Sequence, residues 1–347
     1  MAGGKTEARV GAAWRNAVPI GVAVVGALVI GAGVDIVHRH PWSPKKKPAT
    51  NAKSTAATAK SGGKPRYVVG VRRDGTAVVV RDVKTGHDVG LPVAAPAGRR
   101  FQRVAAGPGA SYVVASYASR KVMFHRLNLG KDGRPSTLSD IPRALVPGVS
   151  NASSDMAVSS DGASIAYVTY RTGGMGTVDV VSTHSGTRKT WTAKSAARIS
   201  SLSWAGPTLS FLWSPRPRAG IRGAAGPAVP PAPQVRTLNT AGPTGDLKLS
   251  KTVLRLPAGT AAAVLAPDGR TIVAGVESPS RVALQQYSTV TGRPGRVLWE
   301  HPGKGGVRRL DSDSSGGHLL LSGDDGSLYG PDERTPVPAD DLSDVAW

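Results

Sequence analysis

The chain has 347 residues, 40% of them hydrophobic, enough to bury a sizeable core in one large domain or two small ones. It contains no cysteine, which excludes disulfides and thiolate chemistry, and its 43 Gly and 27 Pro show no collagen-like period, as suits many short strands and turns. A formal net charge of +21 attracts anions such as phospholipid head groups, acidic wall polymers or nucleic acid, but the basic residues are scattered as singles and pairs without a nucleic-acid motif, so a solvated basic surface is the simpler reading and no nucleic-acid partner is expected.

Residues 1–17 form a basic segment. After it, "AVPIGVAVVGALVIGAGV" (Ala17 to Val34) runs for 18 residues without a charge. A bilayer span needs roughly 20 residues at helical rise, so a transmembrane helix is predicted over residues 18–37, with Pro19 in its first turn. Lys5, Arg9 and Arg15 flank it on one side, and Arg39 with Lys45 to Lys47 on the other. A cleaved signal peptide, with Gly31 and Gly33 before the cut, is the competing reading. The apolar run exceeds the h-region of about 7–15 residues, which favours an uncleaved anchor. Flanking charge is nearly balanced and discriminates little between orientations. Ala23, Ala27 and Gly31 share one helical face that would let two anchors pack, a spacing an Ala- and Gly-rich segment also yields by chance.

Residues 38–65 are expected to be a disordered linker. Their Lys, Ala, Thr, Ser and Pro offer no apolar period to offset the entropy of ordering.

From Arg66 onward the sequence cycles through one plan of four strands. The clearest cycle is "DMAVSS", "SIAYVTY", "TVDVVST", "RKTWTA" (Asp155 to Ala193), and a second is "AAVLAP", "TIVAGVE", "VALQQYS", "RVLWEH" (Ala262 to His301). Weaker cycles begin at Phe101, Ser200 and Val307. Asp161-Gly162 and Asp268-Gly269 join first to second strands, where Gly supplies the positive φ of a tight turn. Four strands per 40–50 residues signal the blade of a β-propeller, roughly the period of known propeller repeats.

"SSDGASIAY" and "APDGRTIVA", followed by "VDVVSTHSG" and "LQQYSTVTG", resemble TolB-like and WD-repeat-like propeller repeats. The whole layout is similar to single-pass, membrane-anchored propeller proteins of actinobacteria. The resemblance covers residues 66–347 and implies an all-β, six-bladed β-propeller preceded by one N-terminal transmembrane helix and a disordered linker. It implies little about function, because such blades serve scaffolds, receptors and enzymes alike.

The first cycle, Tyr67 to Val93, lacks an innermost strand, while "DLSDVAW" at the other end resembles the inner stretch "ISSLSW". Leu342 to Trp347 are therefore expected to complete the first blade, antiparallel to Tyr67 to Val71. Within the fourth cycle, residues 214–233 form a Pro-rich insertion made basic by Arg216, Arg218 and Arg222, read as a loop on one rim.

Candidate chemistry is sparse. Asp311, Asp313, Ser315 and Gly316 match the first half of an Asp-rich calcium loop, but Ser322 stands where a bidentate acid belongs, and the same residues suit a strand-to-strand turn. No G-x-S-x-G, H-E-x-x-H or phosphate loop occurs. His38 and His40 read as interfacial flanks. His87, His125, His184, His301 and His318 are scattered. Trp191, Trp204, Trp213 and Trp299 read as strand packing rather than ligand stacking. No catalytic, cofactor or metal residue is assigned. The sequence thus points to a non-catalytic binding or scaffold module, monomeric in its propeller and held outside the cytoplasmic membrane, with a protein, peptide or cell-wall polymer as ligand. The alternatives are an enzyme with a cryptic site at the central channel, and a basic module for an anionic polymer.

Overall fold

A computed structural model of the protein describes residues 64–171, 173–216, 232–302, 306–313, 316–330 and 336–347. They belong to one structural unit, Thr58–Trp347. The expected basic segment, the transmembrane helix at residues 18–37, most of the linker and most of the 214–233 insertion lie outside the described residues. Among the described residues no helix is long and apolar enough to cross a membrane.

The described chain is all-β, built from six sheets that follow one another along the sequence. Blade 2 runs through Arg100–Ala106, Ser111–Ala118, Lys121–Leu129 and Pro135–Pro147. Blade 3 is Met156–Val158, Ser164–Tyr170, Gly176–Ser182 and Arg188–Thr192. Blade 4 is Ala197–Ala205, Thr208–Pro215, Gln234–Asn239 and Lys251–Arg255. Blade 5 is Thr260–Leu265, Thr271–Ser278, Arg281–Ser288 and Pro294–Pro302. Blade 6 is Val307–Ser312, Leu319–Gly323, Ser327–Tyr329 and Val337–Pro338.

Blade 1 is closed by the last strand. Leu342–Ala346 pairs antiparallel with Tyr67–Arg72, which continues to Ala77–Asp82 and Val93–Ala94. The register sets Val69 opposite Ala346 and Val71 opposite Asp344, within the antiparallel pairing expected from the two incomplete ends of the sequence. Without this strand the Tyr67–Arg72 edge would stand unpaired.

Six apolar clusters fill the six spaces between adjacent blades. Each middle strand contributes to two of them, which is why these strands read as continuous apolar runs rather than alternating ones. In blade 1, Val69 and Val71 face blade 2 beside Phe101 and Val114, while Val68 packs with Leu320 and Leu328 of blade 6. The turns behave as their sequences dictate. Gly162 and Gly269 sit at φ 69° and 68°, and the preceding aspartates accept the N–H groups of Ala163 and Arg270 at 3.0 and 2.8 Å.

The structure differs from the sequence reading in three places. Blade 2's outer strand continues past Ile141 to Pro147 through an irregular stretch with Arg143 at φ 63°. Residues 214 and 215, assigned to the insertion, belong to the strand Thr208–Pro215. Blade 3 gains a fifth strand, Gly245–Asp246, which crosses from blade 4 and runs parallel to Arg188–Thr192. A short 3-10 turn, Leu247–Leu249, follows it and buries Leu247 between blades 3 and 4. This strap covers an edge that would otherwise offer unpaired backbone groups.

Candidate functional site

The innermost strands share a device that defines the site. In five of the six, one extra residue interrupts pairing with the second strand: Ser343, Gln102, Ser201, Ala261 and Arg308 in blades 1, 2, 4, 5 and 6. Such bulges bend a strand and re-aim its side chains. All five residues line one cavity of about 560 Å³ at the end of the ring where the innermost strands begin. Its size lies within the roughly 300–1,000 Å³ of ligand pockets. Ser201 holds a left-handed φ of 56°, uncommon for a residue with a Cβ, and its hydroxyl accepts the Ala263 N–H at 3.2 Å.

At the mouth and beneath it, side chains join each blade to the next. Asp344 accepts the Val104 N–H at 2.8 Å, Arg103 donates to the Ser154 carbonyl, and Asp155 accepts the Leu202 N–H at 3.0 Å. Ser203 accepts the Leu265 N–H at 3.0 Å, Glu277 accepts the Val307 N–H, and Arg309 closes the ring by donating to Asp344. The reason is elementary: inward-facing backbone groups of an innermost strand have no further strand to pair with.

Arg309 sits at the electrostatic centre, with its guanidinium on Asp344 and 3.6 Å from Asp155. Burial by itself disfavours its charge, but Asp344, Asp155 and Asp311 outweigh burial and raise its pKa. Asp311 fares differently: burial pushes its carboxyl up to about 6, only partly opposed by Arg309. Its Oδ2 is buried and makes no hydrogen bond.

The calcium-like run is a turn. Asp313 accepts the His318 N–H at 3.0 Å and its carbonyl accepts the Gly316 N–H at 2.9 Å, while Asp311 belongs to the strand Val307–Ser312; Ser315 lies outside the described residues. Among the described residues no group of three His, Asp or Glu could hold a metal. Trp191 is fully buried between blades 3 and 4 and donates to the Pro243 carbonyl at 2.8 Å, and Trp213 is buried with the Arg236 guanidinium over its ring. Trp204 packs against the same core as Trp191. Trp299 is half-buried, stacked on His301 at 5.6 Å and tilted against Tyr329.

One arrangement escaped the sequence. His125 bridges Ser116, Nε2 to Oγ at 2.7 Å, and Asp140, Nδ1 to Oδ1 at 2.7 Å, across three strands of blade 2. The connectivity is that of a hydrolytic triad. Its surroundings are not. Ser116 has no exposed surface, and its Oγ accepts the Arg99 Nε–H at 2.7 Å, so the hydroxyl is left to donate to His125 and no substrate carbonyl can approach. The chain Arg99–Ser116–His125–Asp140 is a structural clasp. Burial lowers the His125 pKa, with Asp140 acting against the shift.

A comparison with protein families finds no match, and a comparison with curated proteins finds none. Solved structures are similar in fold. TolB from Acinetobacter baumannii is 15% identical, with 81% of this chain and 66% of that chain covered and a TM-score of 0.48. The Pan2 WD40 domain of Neurospora crassa is 14% identical, covering 79% and 75%, with a TM-score of 0.45. A mutant of the Synechocystis apocarotenoid oxygenase is 10% identical, covering 81% and 72%, with a TM-score of 0.44. Likeness at this level carries no argument about function, and the six-bladed assignment rests on the strand pairing itself.

Proposed function

We propose that this chain is a membrane-anchored, extracytoplasmic β-propeller that acts as a non-catalytic binding or scaffold module, and that its ligand docks at the bulged mouth of the ring. One observation carries the reading: five bulges on five blades turn their extra residues into a single cavity. Residues 18–37 would tether it, with residues 38–65 as a stalk. The triad-like clasp in blade 2 supports no enzymatic reading, because its serine is sealed. A photo-crosslinking side chain at position 198 in the full-length membrane protein tests the proposal. Adducts are expected from that position and not from position 270, in a turn at the opposite end of the innermost strands. Equal capture from both positions, or none, counts against it.

A further inference from the structure

The mouth is electrostatically lopsided. Arg73, Arg100, Arg103, Arg198, Arg308 and Arg309 line it, against Asp74, Asp155 and Asp344. The aspartates are engaged internally. Asp155 and Asp344 hold Arg309 together with the N–H groups of Leu202 and Val104, and Asp74 accepts both the N–H and the hydroxyl of Thr76. Arg309 is neutralised by them and Arg308 lies 3.5 Å from Asp324, but the other four arginines make no ion pair among the described residues. Arg103 is buried and donates to the carbonyls of Ser154, Ala152 and Gln102, which carry no net charge. Arg73 donates to the Asp340 carbonyl, and Arg100 to the Asp74 carbonyl at 3.4 Å, within electrostatic reach of the Asp74 carboxylate. Arg198 is exposed and has no side-chain partner among the described residues.

Arg73, Arg103 and Arg198, without an ion pair among the described residues, therefore converge on the cavity from blades 1, 2 and 4 with Arg100 beside them, over an apolar lining that includes Phe101, Leu342 and Val345. Low-dielectric walls around one sign of charge focus its field on the ligand. Guanidinium forks match carboxylates bidentately. The arrangement also discriminates by shape. A concave mouth receives neither a flat bilayer nor a duplex, and charges gathered around an axis suit a chain entering end-on rather than a long polyanion lying along a stripe.

We infer that the mouth receives the tip of an acidic peptide segment, whose carboxylates meet Arg73, Arg100 and Arg198. This rests on the mouth being the ligand site, as proposed above. The probe is a short fluorescent peptide ending in a run of Glu, titrated against the full-length protein in detergent. Saturable binding is expected. It should weaken by about tenfold or more in the Arg100→Glu/Arg198→Glu variant and stay unchanged in Arg270→Glu, whose exposed side chain lies at the opposite end. Replacing Glu by Gln in the peptide should abolish it. Three outcomes overturn the inference: equal loss in Arg270→Glu, equal binding of the Gln peptide, or tight binding of inorganic polyphosphate with none of the Glu peptide. Absence of peptide binding also overturns it, and crosslinking from position 198 then shows separately whether the mouth is still a ligand site.

Discussion

Arg81 and Asp341, 260 residues apart in sequence, form a two-pronged ion pair, Nη1 to Oδ1 and Nη2 to Oδ2, both at 3.0 Å. Arg81 is almost wholly buried, and its Nε donates to Asp88 at 2.9 Å while Nη1 also reaches the Pro338 carbonyl at 2.6 Å. Arg72 contacts the same two aspartates. The pair thus pins the residue before the closing strand to the second strand of blade 1, so that polar contacts and strand pairing fix the same junction.

Asp341→Ala should therefore destabilise the fold by about 2 kcal/mol, because it strips charge-assisted bonds from a buried guanidinium. Deleting residues 342–347 should do far more. It removes Leu342, Val345 and Trp347 from the cluster between blades 6 and 1, and Ala346 from the one between blades 1 and 2. A sharply lower Tm and aggregation through the bared edge are expected. A deleted form that melts like the parent would show that closure contributes little.

Arg309→Met tests the channel network. The substitution keeps volume but leaves Asp344 and Asp155 without their cation. Breaking a buried ion group on one side costs about 3–5 kcal/mol. The double variant Arg309→Met/Asp344→Asn should recover part of that loss in denaturant unfolding, since it removes one of the stranded charges. A double variant less stable than the sum of both single changes would contradict the coupling drawn here.

The blades were legible because their signal is local: apolar runs of strand length, Asp-Gly turns, and a cycle repeated often enough to count. Closure was legible because "DLSDVAW" looks like an inner strand with no partner downstream. The mouth was not, because a bulge is a matter of register between strands and leaves no mark in a single run of residues. A trace existed nonetheless. Arg103, Asp155, Arg309 and Asp344 open the equivalent stretches "RVAA", "DMAV", "RLDS" and "DVAW", charged residues where an inner strand needs none for its core. The Gly245–Asp246 strap gave no signal, since its strand is two residues long and polar. The Arg99–Ser116–His125–Asp140 clasp gave none either, because its members come from separate strands and a preceding loop.

That clasp predicts a defined response to truncation. Ser116→Ala leaves Arg99 Nε and His125 Nε2 facing each other without the hydroxyl between them. A loss of about 1–3 kcal/mol is expected from the stranded polar groups. Ester hydrolysis by the purified protein, if any is detected, should be unchanged by the substitution. A parallel loss of turnover would restore the catalytic reading.

The proposed topology is checked in cells. A reporter that is active only in the cytoplasm, fused after Trp347, should stay silent. Strong activity would place the propeller on the cytoplasmic side of the anchor and leave the fold untouched.

Two buried groups should give the stability curve opposing slopes with pH. The Asp311 carboxyl is raised by burial from 3.8 to about 6, so its neutral form is the one that suits the folded state. Its contribution is complete below about pH 3.8 and is lost as pH rises through about 6. The difference amounts to about 3 kcal/mol at roughly 1.36 kcal/mol per pKa unit. His125 runs the other way. Burial lowers its pKa below 6.5, so its contribution is complete above pH 6.5 and is lost as pH falls through the lowered value. Denaturant unfolding across pH 4 to 8 separates the two. Asp311→Asn should remove the decline between about pH 4 and 6 and raise stability at neutral pH, whereas the decline on acidification below pH 6.5 should persist. If Asp311→Asn leaves the curve unchanged, the carboxyl is not held in the enclosed, unpaired position that Oδ2 occupies beside Arg309.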